Sequence, residues 1–217
     1  MFPFPFSFLG SGEVIPDLEL ISNDYAMEFN GTDEYVNAGS TSYLDNATKM
    51  SFSVWFNFDT AADNTGILGD NTLIDLYTKN ASGSNYTLRL NLNGNANRFQ
   101  LTGTPFTAGQ WHNIVVTFNA GSLNFYVDGS SAAYTVYSGA IPASLSGSTG
   151  QLEIGRAYSS STTWNGDIDE VAIWNEALEL ADAQTIYNST NDNPGKCANL
   201  FTGGLGSGLV FWNRMGD

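Results

Sequence analysis

The sequence predicts an all-β protein, two antiparallel sheets packed face to face with one short C-terminal helix, and three observations carry that prediction. Apolar residues alternate with small polar ones in short runs; Gly, Asn, Asp and Ser bound the runs; and their spacing leaves no room for a helix after each strand. At 217 residues the chain can bury one large core, and sandwiches of this length commonly form a single domain.

The clearest strand is 50–58, where Met50, Phe52, Val54, Phe56 and Phe58 share one face and Ser51, Ser53, Trp55 and Asn57 the other. Similar runs predict strands at 72–78, 86–92, 98–102, 112–119, 123–128 and 133–137. Asn93-Gly94, Ala120-Gly121 and Asp128-Gly129 read as tight hairpin turns, because Gly and Asn tolerate the positive φ such turns require. Leu180, Ala183, Ile186 and Tyr187 recur at helical spacing and predict a helix over 179–188.

The ends read differently, which divides the chain into an extended arm (1–22), a sandwich (23–190) and a C-terminal loop, linker and start of a following segment (191–217). Phe2, Phe4, Phe6, Phe8 and Leu9 alternate with small residues and Pro, giving an extended apolar arm that either is held by a partner in assembly or pairs as an outer strand of its own domain. The stretch from Gly203 to Gly208 reads as a flexible linker, with a new apolar unit opening at Leu209.

Seven basic residues against 22 acidic ones give a net charge of −15, which repels phosphate backbones and anionic bilayers; neither nucleic acid nor a membrane is an expected partner. The opening residues lack the basic segment of a secretory leader, and polar residues interrupt every apolar run before it reaches spanning length. One cysteine, Cys197, forms no intrachain disulfide and has no ligating or catalytic neighbour in sequence.

Four segments, YAMEFNGTDEYVNAG (25–39), MSFSVWFNF (50–58), GQWHNIVVTFNAGSLNFYVDG (109–129) and LEIGRAYSSSTTWNGDIDEVAIWNEAL (152–178), resemble in that order the laminin G-like, concanavalin A-like lectin jelly rolls. The resemblance implies a two-sheet jelly roll whose first and last strands are adjacent. Lectins, adhesins, hydrolases and virion proteins all use this fold, so function must come from the site. The tail from Ile186, IYNSTNDNPGKCANLFTGGLGSGLVFWNRMGD, resembles lectin-like virion structural proteins of marine phages. That implies a virion location, with other virion proteins or further copies of the chain as partners and a surface glycan as a further one.

The first candidate site is a metal site. Asn30, Gly31 and Asp33, with Glu34, offer carboxylate, amide and carbonyl oxygens on a turn, and Asp167 and Asp169 lie in the last strand of the resemblance, which implies that the two segments meet. Such oxygens suit a structural Ca²⁺, while the competing reading has them only capping turns. Alternation places Asp167, Asp169, Val171 and Ile173 on one face.

A glucanase of this fold needs two carboxylates flanking the scissile bond. The nearest pattern, Asp167-Ile168-Asp169-Glu170, sends Asp169 and Glu170 to opposite faces by alternation, which argues against hydrolysis. His112, the only histidine, has no nucleophile motif beside it and reads as a strand-end residue with a satisfied hydrogen bond. Trp164, Tyr158, Tyr77 and Tyr86 are the rings available to stack a sugar, against the usual fate of strand aromatics in the core. The sequence thus predicts a non-catalytic virion structural or appendage protein with a lectin-like domain, or else a carbohydrate-binding module of a bacterial surface lectin or adhesin, extracellular or at the cell surface.

Overall fold

The computed structural model describes residues 18–60, 62–82, 85–103, 106–147, 150–157 and 163–217; the arm residues Phe2, Phe4, Phe6, Phe8 and Leu9, and Tyr158, lie outside them. The strands are β1 (Leu20–Ser22), β2 (Met27–Asn30), β3 (Val36–Ser40), β4 (Lys49–Phe58), β5 (Gly66–Gly69), β6 (Ile74–Ser82), β7 (Asn85–Leu92), β8 (Asn97–Leu101) and β9 (Phe106–Thr107). They continue as β10 (Trp111–Asn119), β11 (Ser122–Val127), β12 (Ser130–Ala132), β13 (Tyr134–Ser138), β14 (Gln151–Ile154), β15 (Asn165–Trp174), β16 (Lys196–Ala198) and β17 (Leu209–Asn213), with one helix, α1 (Leu180–Asn191), after β15.

Two antiparallel sheets form the predicted sandwich. One runs β12-β11-β10-β4-β15-β17, with β2 on the N-terminal half of β15 and β17 on its C-terminal half. The other runs β13-β8-β7-β6-β5-β14-β3, with β9 beside β7. All three expected turns have positive φ at both residues; Ala120-Gly121 and Asp128-Gly129 join their strands directly, whereas Asn93-Gly94 opens a four-residue connection with a short 3-10 helix, Gly94–Ala96.

Alternation decides what lies between the sheets. Phe52, Phe56 and Phe58 of β4 meet Ile114, Val116 and Phe118 of β10 and Leu88, Leu90 and Leu92 of β7 in one buried core. Trp164 is fully buried in it, 4.5 Å from the Phe58 ring and edge-on to Phe56, with its indole N–H donating to the carbonyls of Asn57 and Asp167. Beside it Gly166 has φ +133, and a Cβ there would come within 2.3 Å of the Asn57 carbonyl, so the strand crosses its neighbour here only without a side chain.

A second apolar layer lies outside the first sheet, where Val115, Tyr126, Ala172 and Trp174 meet Ala183 and Ile186 of α1 and Ala198, Leu200 and Leu205. The helix begins one residue later than expected because Glu179 and Asp182 form a capping box. The ribbon β1–β16 closes this layer.

The C-terminal segment corrects the sequence reading. Residues 209–213 are a strand of the sandwich itself, pairing with 171–174, and the Gly-rich stretch before them is a packed turn: Leu205 is buried and its carbonyl accepts the Trp174 indole N–H at 2.7 Å.

Strand β15 is also irregular. Its register slips between Asp169 and Ala172, and Glu170 adopts φ +47, a bulge. In consequence Ile168, Val171 and Ile173 face the main core, whereas Ala172 and Trp174 join the outer layer. The predicted common face of Asp167, Asp169, Val171 and Ile173 is therefore broken at the bulge.

Glu170 pays for this backbone with its side chain, which is only 5 % exposed. One carboxylate oxygen accepts the Trp212 indole N–H at 2.7 Å, and the other accepts Arg214 Nε at 3.0 Å and the Cys197 thiol at 3.3 Å. Arg214 also donates to the Ser22 carbonyl and lies 3.5 Å from Asp217. Removing one member of such a buried pair strands the other, at a cost of about 3–5 kcal/mol. Arg214→Ala should therefore destabilise the protein by about that amount in urea unfolding, whereas Glu170→Met with Arg214→Met should cost less than the single change.

Candidate functional site

Outward-facing residues of the β10-β4-β15 strands form two rows across the first sheet. Trp111, Asn57, Asp167 and Glu28 lie opposite one another in one, and Asn113, Trp55 and Asp169 in the next. These are the positions that alternation turns away from the core, which is why polar groups and large rings coexist here.

Over the rows lies an open groove of about 440 Å³. Trp55, Trp111 and Asp169 come from the sheet, Asn23, Asp24, Tyr25 and Ala26 from the β1–β2 connection, and Tyr187, Thr190 and Asn191 from α1, with the loop 194–196 completing the wall. The Trp55 and Tyr187 rings stack at 5.6 Å and 11°, burying Trp55 and anchoring the helix end. Trp111 and Tyr25 are instead 42 % and 68 % exposed, so the groove keeps two large free ring faces.

Asp169 is 6 % exposed within this groove. One of its oxygens accepts the Asn23 side-chain N–H at 2.9 Å and the other the backbone N–H of Glu170 at 2.8 Å. Burial, helped by the neighbouring charges of Glu170 and Asp217 and opposed by those hydrogen bonds, pushes its carboxyl up to about 7. The carbonyl oxygen of the Asn23 side chain is buried and has no protein partner among the described residues. The groove thus joins ring faces to a carboxyl and an amide that accept, and when protonated or reoriented donate, hydrogen bonds.

The predicted metal ligands do not gather around one point. Asn30 Oδ1 accepts the backbone N–H groups of Thr32 and Asp33, Asp33 accepts the Asn30 side-chain N–H, and Glu34 accepts the Asn30 backbone N–H, so the turn is capped from within. Gly31 holds φ +70 against Asn165. Asp167 faces Asn57, with a 3.4 Å hydrogen bond, and Asp169 turns into the groove. Among the described residues no three carboxylate, imidazole or thiol groups converge as ligands.

The bulge removes one argument against hydrolysis and supplies another. Asp169 and Glu170 both serve the outer side of the sheet, contrary to simple alternation, but only Asp169 opens to the groove while Glu170 is held by Trp212, Arg214 and Cys197. His112 Nδ1 lies 2.8 Å from Asp128, its Nε2 is buried without a protein partner among the described residues, and burial pushes the Cys197 thiol far up. The candidate platforms Trp164, Tyr77 and Tyr86 are buried, and the sequence reading passed over the exposed rings of Trp111 and Tyr25.

A model of the concanavalin A-like lectin/glucanases superfamily matches residues 30–184. None of the curated proteins compared with the chain matches its sequence. Among solved structures, a native heptameric SAP-like pentraxin from Limulus polyphemus is similar with TM-score 0.58 and 15 % identity, over 89 % of this chain and 96 % of that one. A putative carbohydrate binding protein from Bacteroides ovatus gives 0.57 and 17 %, over 94 % of this chain and 52 % of the other. Tailspike protein 2 of an Escherichia coli O157:H7 bacteriophage gives 0.54 and 12 %, over 97 % and 31 %. The chain therefore spans about half of the Bacteroides protein and a third of the tailspike, and at these identities the likeness is one of fold.

Asp169 sets a stability profile. Its folded carboxyl titrates above the ordinary 3.8, so the folded state holds a proton that the unfolded state releases. The associated stability is fully present below 3.8 and is lost as pH rises through about 7. Asp169→Asn should flatten the fall in melting temperature between those two pH values and stabilise the protein at pH about 8 relative to wild type. Saturating Ca²⁺ and excess chelator should give melting temperatures within about 1 °C of each other, since no three carboxylates converge among the described residues.

Proposed function

The chain belongs to the concanavalin A-like lectin/glucanases superfamily, and we propose that in this member the groove above β4, β10 and β15 is a non-catalytic saccharide-binding site. The observation that carries the reading is the pair of exposed rings, Trp111 and Tyr25, in the groove that holds the Asp169 carboxyl and the Asn23 amide. A pyranose has apolar C–H faces and a rim of hydroxyls. The ring faces take the first, and the carboxyl, Asn23 and Asn191 take the second.

Hydrolysis needs two carboxylates facing one glycosidic bond, one to protonate the leaving oxygen and one to attack or activate water. Two carboxylates line the groove, the buried Asp169 and the exposed Asp24 of the β1–β2 connection, while Glu170, next to Asp169, is locked in an ion pair with Arg214. Fold likeness to a carbohydrate binding protein supports the binding reading.

A second reading places the domain in a virion, as a capsid decoration or tail fibre element, and the fold it shares with a phage tailspike favours it. In that setting the groove meets a host surface glycan while other virion proteins or further copies of the chain hold the domain in place. The surface-lectin reading uses the same groove from an extracellular or cell-surface position.

A glycan array followed by calorimetric titration tests the proposal. Trp111→Ala and Tyr25→Ala should each weaken the selected saccharide by at least about tenfold without lowering the melting temperature, and no reducing ends should be released. Wild-type affinity in both variants, or no saccharide bound by the wild type, would overturn it.

A further inference from the structure

The outermost strand of the first sheet, β17, pairs with β15 along one edge, and its other edge has no strand partner among the described residues. Every second residue of such a strand turns its backbone N–H and C=O outward, a template for a further strand. Its sequence, Leu-Val-Phe-Trp-Asn, is apolar in four of five positions and lacks the Lys or Pro that commonly blunts an edge. A ring patch adjoins it on the outer side of the sheet: Phe201 is 71 % exposed and lies 5.4 Å from the Trp212 ring.

The described chain opens at the same place. Leu18, Leu209 and Trp212 all pack against the outer apolar layer, and a Cβ on Gly203 would come within 2.7 Å of the Leu18 side chain. Glu19 bonds the turn that carries Phe201: its N–H donates to Thr202 Oγ1 at 3.0 Å, and its carbonyl accepts the Asn199 N–H at 2.8 Å. Residues 1–17 are therefore tethered beside β17. Fully extended, a segment of that length reaches about 56 Å, whereas a five-residue strand is about 17 Å long, so it can double back along β17. Gly10-Ser11-Gly12, between the Phe-rich part and Glu13, suits the reversal.

The order of Phe and Pro in the arm is what an edge strand requires. Residues i and i+2 of a strand share a face for their side chains and a side for their backbone N–H and C=O. In a strand, Phe2, Phe4, Phe6 and Phe8 would thus direct their N–H groups to one side, and Pro3 and Pro5, which have none, would fall on the other. Such a strand bonds one neighbour and gives little to a second.

We propose that residues 2–8 add to the open edge of β17 in the same chain as a terminal strand, with the Phe backbone toward β17 and the phenyl rings over Phe201 and Trp212. The prolines then form the new edge of the sheet, where they stop a second copy from adding to it.

Amide exchange followed by NMR on the full chain tests this. The outward-facing amides of β17 should exchange at least about tenfold more slowly in the wild type than in Phe4→Pro, which removes an N–H from the bonding side. Pro5→Ala, which restores an N–H on the far side, should keep the protection. A nitroxide attached at Ser7→Cys should broaden the β17 signals of its own chain and not those of an isotope-labelled wild-type chain mixed with it; Cys197 is buried and stays unlabelled. The proposal is overturned by equal exchange in the wild type and Phe4→Pro, by loss of protection in Pro5→Ala, or by broadening in the mixed sample, which would put the arm on another copy. A dimer joined through β17 in place of the arm would overturn it as well.

Discussion

Glu170 combines two features that are each unfavourable alone, a buried carboxylate and a left-handed backbone in the middle of a strand. Its partners come from three places that sequence does not bring together. Trp212 and Arg214 arrive from the last strand and its end, and Cys197 from the ribbon. Through Arg214 the clasp reaches Ser22 and Asp217, and Asp217 in turn accepts the backbone N–H groups of Asp24 and Tyr25. The wall of the groove is thus fastened to a carboxylate that never enters it.

The bulge at that carboxylate has a second effect. By inserting one residue it lets β15 serve two cores, sending Val171 and Ile173 between the sheets and Ala172 and Trp174 under the helix. Asp169, just before the slip, is left at the groove floor, where water is sparse and its proton is held to near neutral pH. The charge of the groove is therefore a consequence of strand geometry as much as of composition.

The sandwich was legible because its strands are strongly patterned: 50–58 alternates without interruption, and its inward set is the set that packs. The helix was legible from Leu180, Ala183 and Ile186, and the three hairpins from their dipeptides. What failed were features decided by distant partners. Glutamate carries no preference for positive φ, so nothing local announces the bulge at Glu170. A Gly-rich stretch reads as linker until Trp174 is seen bonding the Leu205 carbonyl. Asn30 and Asp33 suit an ion and a self-capped turn equally well by residue type, and the turn's own hydrogen bonds show that the capping is present. Trp55 was correctly read as outward, but its stacking on Tyr187 depends on where the helix lands, and the groove exists only because the helix lands there.

Strand β15 also governs the order in which the molecule can be assembled. Its hydrogen-bonding partners are β2 near one end of the chain, β4 in the first third and β17 at the other end, and the bond from Tyr25 to Asp217 closes a loop of 192 residues. Hairpins such as β6–β7 and β10–β11 close short loops and form early, whereas the sheet's central pairing pays its chain entropy late. During vectorial synthesis β2, with Phe29 destined for the core, must wait without its partner until β15 has emerged, and the clasp waits longer still. The edge of β2 therefore stays open until β15 has emerged, and β17 acts as the latch that ends the exposure of the unfinished sheet to aggregation.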